Sequence, residues 1–404
     1  MAALRAALLG VLVAAIASFV YNDPLALRQP VDVSPVLLPP LAVPGASDPS
    51  NRLASAEIKY KLYEHQGIGP ESLAMDANGS GPYSGLVDGR VVRRSADNSQ
   101  WEPFAHTSPN RTPQLCDIPP KSQPDPSKEP LCGRPLGLRF HPVTGELYIA
   151  DAYYGLNRVG LNGGQAEQLV GGKLVDGEKL SFINDLDMDA EDENGTVYFT
   201  VSSTKYEMRN FLSMILDGGA DGGLYKYDIA TREVTRLVPG VAFANGLALS
   251  QDRSFLVYCE TIRARCNRYW LKGSKAGSHE VFVDLPGVPD NPRLNPRGRF
   301  WIAMPAYRTS AYDFLARAPR LRSILLRLHL HPLLLYAGIF GLPNGMIAEV
   351  DAAGQITDIL EDRAGKRVKA PSDVMERGGK LWIASLIVPN LAVLDYVPPG
   401  TSTA

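Results

Sequence analysis

The sequence predicts an all-β protein, a six-bladed β-propeller, and three observations lead to this fold class. A strand–turn–strand phrase recurs six times along the 404-residue chain. Gly and Pro, at 37 and 32 residues, are spread throughout, as many short strands joined by turns require. Few segments show a helical pattern. Units that cannot bury their own faces stack around an axis, which favours radial repetition; a β-sandwich or two all-β domains are the alternatives.

Each copy of the phrase has an alternating x-Φ-x-Φ strand, a polar turn with glycine, and a strand rich in Tyr, Trp, Phe and Val. Clear copies are "NGLALSQDRSFLVYCE", which starts at Asn245, and "DNPRLNPRGRFWIAM", which starts at Asp290. The alternation places every second side chain on one face of its strand. The first residues of the six copies are Glu71, Leu136, Asn184, Asn245, Asp290 and Ser372.

The N-terminus is expected to be a signal segment. Arg5 precedes an uninterrupted run of apolar and small residues from Ala6 to Tyr21, which is short for a membrane-spanning helix and within the range of a signal-peptide core. It is an uncleaved anchor or a cleaved signal peptide, with a buried soluble helix as the remaining alternative. A Pro-, Val- and Leu-rich stretch without periodicity follows and predicts a tether. The predicted segments are the signal segment (1–22), the tether (23–57), the propeller (58–398) and the tail (399–404).

Cysteines and glycosylation sequons favour the secretory pathway. Cys116 and Cys132 bracket a polar, Pro-rich loop, and a disulfide there would stabilise the fold by roughly 3 kcal/mol; two free thiols are the alternative. The state of Cys259 and Cys266 stays open, because Cys259 lies in an apolar strand and could simply be buried. The sequons begin at Asn78, Asn110 and Asn194. We expect a luminal or extracellular propeller in the endoplasmic reticulum, the vacuole or the plasma membrane.

A helical insertion is expected at 311–343, between the inner and outer hairpins of the fifth blade. Arg320, Ser323 and Arg327 recur at helical spacing beside a Leu- and Ile-rich face, and an apolar segment follows. Residues 316–343 are therefore either a lid over the propeller or an element that contacts a membrane surface.

Four of the six first residues carry a carboxylate or a carboxamide: Glu71, Asn184, Asn245 and Asp290. Equivalent positions of the innermost strands converge on a propeller's axis, so these side chains should lie close together. Oxygen ligands without sulfur or imidazole are those that Ca²⁺ prefers. With Asn291 as a fifth ligand, the sequence predicts a calcium site. The alternative is that each residue only caps a turn where its blade begins.

Several motifs carry a family resemblance. They are "PLCGRPLGLRFHPVTGELYIADAYYGL", "ANGLALSQDRSFLVYCET", "RYWLKGSKAGSHEVFVDLPGVPDNPR" and "GRFWIAM". The chain resembles the strictosidine synthase-like family from about Ile58 to Tyr396. That family is similar in fold to the paraoxonases and the gluconolactonase-like calcium hydrolases. The resemblance implies that Glu71, Asn184, Asn245, Asp290 and Asn291 hold a catalytic calcium, and that Cys116 and Cys132 form the family's disulfide.

The implied activity is calcium-dependent hydrolysis of esters or lactones, with Glu71 and Asp290 as the candidate catalytic groups. Ser372 stands where strictosidine synthases use a glutamate, so a condensing enzyme is the less favoured alternative. The other alternative is a membrane-tethered propeller that binds a partner without catalysis. Expected partners are a small ester or lactone and a membrane, contacted through the N-terminal segment and, in the second interpretation of the insertion, through 316–343. The formal net charge of −2 argues against nucleic acid.

Overall fold

Six four-stranded sheets make up the body of the computed structural model, which describes residues 33, 36–39, 51–59, 69–95, 100–119, 122–171, 174–175, 177–189, 195–328 and 330–398. Neighbouring strands are antiparallel, except for the outermost pair of the first sheet. The predicted six-bladed, all-β propeller is confirmed. The strands of blades 1 to 6, from the axis outwards, are Tyr83–Gly85, Arg90–Arg94, Trp101–His106 and Gly164–Gln165; Pro135–Phe140, Leu147–Asp151, Gly155–Val159 and Glu167–Val170; Phe182–Asp189, Thr196–Ser203, Gly222–Asp228 and Val234–Val241; Ala244–Leu249, Phe255–Glu260, Arg265–Trp270 and His279–Asp284; Pro292–Leu294, Phe300–Met304, Gly345–Val350 and Ile356–Asp362; Pro371–Arg377, Lys380–Ser385, Leu391–Asp395 and Glu57–Lys59.

Two short ribbons accompany the blades. Leu174–Val175 pairs with Glu178–Lys179, and Gly287–Val288 pairs with Ala306–Tyr307. The second strands of the blades are close to continuous apolar runs, because neighbouring blades cover both of their faces. Phe300–Met304, for example, is buried at every position.

Hydrogen bonds near the axis join each blade to the next, with one exception. Blades 2 and 3 instead meet where Gly137 lies against Asp185, and a Cβ at Gly137 would come within 2.4 Å of Asp185 Oδ1. The donors and acceptors of the other five junctions are Ser72 Oγ and Leu136 O, Thr200 Oγ1 and Asn245 O (2.6 Å), Thr261 Oγ1 and Pro289 O (2.8 Å), the Asn291 N–H and Ser372 O (3.1 Å), and Ser372 Oγ and Glu71 O (2.6 Å).

The ring is closed by the start of the chain. Glu57–Lys59 pairs with Leu391–Asp395 as the outermost strand of blade 6. A 3₁₀ helix at Asn51–Ser55 precedes it, and Leu53 is fully buried between blades 5 and 6. Residues 51–57, which the sequence assigns to the tether, thus belong to the propeller, because their apolar side chains complete its last interface.

The part of the chain that is described contains six α-helices: α1 (Pro113–Cys116), α2 (Glu129–Cys132), α3 (Phe211–Asp217), α4 (Ser310–Ala316), α5 (Pro319–Arg327) and α6 (Pro332–Phe340). Short 3₁₀ helices also occur at Pro126–Lys128, Met208–Asn210 and Thr261–Arg263. None of the helices in the described ranges is both long and apolar enough to cross a bilayer.

Both cysteine pairs form disulfides. The Cys116–Cys132 bridge joins α1 to α2, as predicted. Cys259 and Cys266 lie directly opposite each other on adjacent strands of blade 4, are fully buried, and form the second bridge. Two of the sequon asparagines, Asn78 and Asn110, are exposed in turns, whereas Asn194 lies outside the described residues, as does the predicted signal segment.

Helices α3 to α6 form a structure that we call the cap. Helix α3 lies between the second and third strands of blade 3, and α4 to α6 lie between the second and third strands of blade 5. The cap packs against Phe182, Phe243 and Val288, each of which precedes a first residue of the phrase by two positions. The Arg322 side chain of α5 donates to the carbonyl oxygens of Leu216 (2.9 Å) and Asp217 (3.1 Å) at the end of α3. The cap therefore covers the face of the propeller on which the innermost strands begin.

Candidate active site

The five residues predicted to bind calcium lie where the innermost strands of four blades begin. Glu71 belongs to blade 1, Asn184 to blade 3, Asn245 to blade 4, and Asp290 and Asn291 to blade 5. All five are buried, with exposed fractions between 0 and 5 %. Polar groups so far from solvent normally have hydrogen-bonding partners, so their contacts reveal what the site is built for.

Each carboxamide is held by its nitrogen. Asn184 Nδ2 donates to Ser202 Oγ at 3.0 Å, and Asn245 Nδ2 donates to Thr261 Oγ1 at 3.0 Å. Asn291 Nδ2 donates to Glu71 Oε1, also at 3.0 Å. The oxygens of all three carboxamides are buried and have no hydrogen-bonding partner. The three side chains are thus fixed in orientation, and each leaves its oxygen available to a ligand.

The hydroxyl groups that hold two of these asparagines also connect the blades. Ser202 Oγ donates to the carbonyl oxygen of Ala244, the residue before Asn245, at 2.7 Å. Thr261 Oγ1 donates to the carbonyl oxygen of Pro289, the residue before Asp290. Each carboxamide is therefore tied to the backbone that presents the next candidate ligand.

The two candidate catalytic carboxylates are equally short of partners. Glu71 Oε1 accepts the bond from Asn291, while Glu71 Oε2 is buried and unpaired. Asp290 is 3 % exposed, and none of the described residues donates a hydrogen bond to its carboxylate. The two groups interact electrostatically, because the charge of Glu71 raises the pKa of Asp290.

A layer of buried charges lies beside these carboxylates. Arg293 of blade 5 pairs with Asp185 of blade 3 at 2.7 Å and with Asp373 of blade 6 at 2.9 Å. Asp373 also accepts a 2.9 Å bond from the backbone N–H of Leu73 in blade 1. Arg293 thus connects two blades that are not its sequence neighbours.

The buried charges at the centre do not balance. Four carboxylates are present, those of Glu71, Asp290, Asp185 and Asp373, together with the guanidinium groups of Arg293 and Arg134. If all are ionised, two negative charges are uncompensated. Burying uncompensated charge is costly, so the site must take up either protons or a cation.

The pKa shifts follow from this imbalance. Burial, together with the charges of Asp185 and Asp373, raises the pKa of Glu71 to about 8. Burial and the charge of Glu71 raise the pKa of Asp290 well above its usual range. Burial also raises the pKa of Asp373, against the opposing effect of Arg293. Without a cation, the centre therefore holds protons near neutral pH.

The donor set fits calcium. It consists of carboxylate and carboxamide oxygens, which are the hard ligands that Ca²⁺ prefers. Within the described residues, no group of three or more His, Cys, Asp or Glu side chains is placed to hold a metal, so a transition-metal centre is not indicated there. None of the four described histidines hydrogen-bonds to a candidate ligand; His141, for instance, accepts from the N–H groups of Val143 and Thr144 in its own turn.

The sequence pattern did not reveal the supporting residues. Asp185 and Asp373 each follow a first residue of the phrase, so a second register of polar residues was the available signal. Ser372 is buried, and its hydroxyl donates to Glu71 O. Gly246, which follows Asn245, allows close approach, because a Cβ there would lie 2.3 Å from Asn291 Oδ1.

Comparison with solved structures supports the fold. A gluconolactonase from Xanthomonas campestris superposes with a TM-score of 0.53 at 15 % identity, covering 91 % of this chain and 98 % of that one. Regucalcin from Agrobacterium tumefaciens, described as a calcium-binding protein, gives a TM-score of 0.53 at 12 % identity, covering 84 % and 94 %. At these identities the likeness concerns the fold alone.

Sequence comparison is more specific. Residues 184–274 match the family described as strictosidine synthase, and residues 45–94 match the one described as strictosidine synthase-like, N-terminal. Protein STRICTOSIDINE SYNTHASE-LIKE 3 of Arabidopsis thaliana is 42 % identical over 360 residues, 89 % of this chain and 90 % of that protein. The adipocyte plasma membrane-associated protein of Gallus gallus is 34 % identical over 375 residues, 91 % and 84 % of the two chains. With identity of this level over nearly the whole of both chains, the protein belongs to the strictosidine synthase-like family.

Proposed function

We propose that the protein is a calcium-dependent hydrolase of esters or lactones. One observation carries the proposal: four buried oxygens without partners, on Glu71, Asn184, Asn245 and Asn291, occur in a centre with two uncompensated negative charges. One divalent cation would satisfy both conditions. The gluconolactonase and regucalcin titles among the similar folds agree with this chemistry.

Glu71, Asp290 and the oxygens of Asn184, Asn245 and Asn291 would hold the ion. Calcium, when bound, would polarise the substrate carbonyl and stabilise the negative charge that develops on its oxygen. The cap would limit the access of water to the site, because it packs over the residues that precede these ligands.

The chain's own carboxylates would manage the proton. Asp290 accepts no hydrogen bond from the described residues, so its carboxylate is free to take a proton from a water molecule that attacks the carbonyl carbon. Its burial favours the protonated form, which strengthens it as a base. The same proton would then pass to the leaving alcohol oxygen, and the products would be a carboxylic acid and an alcohol, joined in one hydroxy acid if the substrate is a lactone.

The condensing activity of strictosidine synthases is not supported at Ser372. Its hydroxyl is fully buried and donates to the Glu71 carbonyl oxygen, so it links blade 6 to blade 1. A hydroxyl in that role leaves blade 6 without the acid or base that the family's condensing enzymes place at this position.

We also propose a secretory-pathway location. Two disulfides, each buried or nearly so, require an oxidising compartment to form and persist. Exposure of Asn78 and Asn110 in turns is compatible with glycosylation of the luminal domain. A shift in electrophoretic mobility after treatment with an endoglycosidase, lost in Asn78→Gln and Asn110→Gln, would support this location; a protein without glycans and with free thiols would contradict it.

The test of the function uses the purified full chain. Its calcium content is measured by elemental analysis, and hydrolysis of phenyl acetate and of small lactones is followed with and without chelator. Asn245→Ala should lose calcium and activity. Asn157→Ala is the matched control, since Asn157 is also a buried asparagine with an unpaired Oδ1 but lies in blade 2, away from the candidate ligands. Chelator-insensitive hydrolysis would refute the mechanism, and bound calcium without hydrolysis would leave the ion a purely structural role.

A further inference from the structure

The cap has an apolar outer surface. Helix α6 (Pro332–Phe340) has apolar residues on all sides, unlike the surface helices of soluble proteins. Its inner side packs on the cap, with Phe340 against Tyr312 at 5.4 Å between ring centroids. Its other side is uncovered, and Leu333 and Leu334 are 73 % and 71 % exposed.

Neighbouring residues extend this surface. Phe314 of α4 is 63 % exposed, and Leu342, just after α6, is 83 % exposed. Helix α4 packs against α6, with Thr309 Oγ1, at the start of α4, donating to the Ile339 carbonyl oxygen. Apolar side chains scattered singly on a surface need no explanation, but a concentration on two packed helices marks a surface that another apolar phase covers.

The charge of the same segment is positive. Residues 310–343 contain four arginines and one acidic residue, Asp313, in a chain with a net charge of −2. Asp313 is already paired with Arg308. Arg317 and Arg320, between α4 and the first turn of α5, are exposed. Apolar side chains flanked by arginines are typical of elements that lie in the interface of an anionic membrane.

The chain arrives at the propeller over this cap. Val36 and Leu38 pack against the cap's apolar cluster, and the Val36 N–H donates to the Ala316 carbonyl oxygen at 3.4 Å. Arg308 Nη2 donates to the Pro39 carbonyl oxygen at 2.6 Å. The apolar run that ends at Tyr21 is joined to Val36 by few residues, which even fully extended reach about 50 Å. A bilayer that holds this run would therefore lie on the cap's side of the propeller.

We propose that the outer surface of the cap rests on an anionic lipid bilayer, with Leu333, Leu334, Phe314 and Leu342 among the acyl chains and Arg317 and Arg320 on the headgroups. The face on which the innermost strands begin is then turned towards the membrane. The candidate active site would receive ligands from the lipid phase or from its surface. This orientation does not depend on the proposed hydrolysis.

The test uses the full chain and a fluorescent probe. All four native cysteines are disulfide-bonded, so a single introduced cysteine can be labelled selectively with an environment-sensitive nitrobenzoxadiazole dye. Leu334→Cys reports on the cap. Val143→Cys is the matched control, because Val143 is 80 % exposed in the turn at the opposite end of a blade 2 strand. The protein is added to vesicles of phosphatidylcholine with phosphatidylserine, and flotation measures its binding.

We expect the dye at residue 334 to shift to shorter wavelength on the vesicles and to be quenched by spin-labelled lipid, while the dye at residue 143 changes in neither respect. Replacing both Arg317 and Arg320 by Glu should reduce the quenching at residue 334 several-fold. A protein that does not float with the vesicles, or one that floats while the dye at residue 334 stays in water, would overturn the proposal. So would energy transfer between copies labelled at residue 334 without quenching by lipid, since it would assign the surface to a second copy of the chain.

Discussion

Replacing Gly246 by alanine tests the architecture of the candidate site most directly. Gly246 follows Asn245 and lies against blade 5. A Cβ there would be 2.3 Å from Asn291 Oδ1, 2.4 Å from Asn291 Cα and 2.6 Å from Pro292 Cδ. The last two atoms belong to the backbone and a proline ring and cannot rotate away. Blade 5 would have to move by about 1 Å to restore ordinary contact.

Two measurable effects follow from that displacement. Overpacking of this kind costs about 1–3 kcal/mol of folding free energy, or about 1–4 °C in Tm for a domain of this size. Calcium–oxygen distances span only about 2.3–2.6 Å, so a shift of about 1 Å would remove Asn291 as a ligand. We therefore expect calcium affinity to fall at least about tenfold, which corresponds to about 1.4 kcal/mol.

The assay is isothermal titration with calcium after chelator treatment, combined with thermal unfolding with and without the ion. Gly160→Ala is the matched control, because a Cβ at Gly160 has no atom within 4 Å and its backbone is not in the left-handed region. If Gly246→Ala matched the wild type in both Tm and calcium affinity, the close contact of blades 4 and 5 would not support the site, and the reasoning would be wrong.

Three further predictions concern pH, buried charge and the first disulfide. Because the pKa of Glu71 is raised to about 8, a proton must leave as calcium binds, so affinity should rise about tenfold per pH unit below pH 8 in titration calorimetry; the calcium-free protein should lose stability as pH rises from 4.5, the ordinary value, to about 8, and a flat profile would contradict this. Arg293→Met leaves Asp185 and Asp373 buried without a cation and should cost about 3–5 kcal/mol in denaturant unfolding, with partial rescue by Asn at both aspartates; absence of rescue would argue against the charge explanation. Cys132→Ser opens a loop that spans 16 residues and should cost about 3 kcal/mol in the same assay, whereas an unchanged midpoint would show that the loop is ordered without its bridge.

The repeated phrase was enough to predict the blades and the register of the candidate ligands. Strand alternation fixes which side chain faces inward, and the same position recurs on each innermost strand, so Asn184 and Asn245 could be aligned without a structure. The pairing of Cys259 with Cys266 could not be predicted, because it depends on the exact register of two strands across a turn. That register became evident only when the hairpin was seen.

Other features depend on contacts between distant parts of the chain. Arg293 bonds to side chains from blades 3 and 6, and nothing near it in the sequence indicates either partner. Gly164–Gln165 pairs in parallel with blade 1, although it lies between two strands of blade 2. Such short exposed strands carry no hydrophobic pattern, since packing between blades places them rather than their own sequence.

Closure of the ring by Glu57–Lys59 has a consequence for how the protein is made. Blade 6 stays incomplete until its three C-terminal strands have left the ribosome, so the first strand must wait unpaired while the whole propeller is synthesised. The contact that locks the fold is among the most distant in the chain, which places closure late and makes it slow. Truncation past Asn51 should therefore impair folding of the entire protein, whereas the residues before Val36 can change without touching the ring.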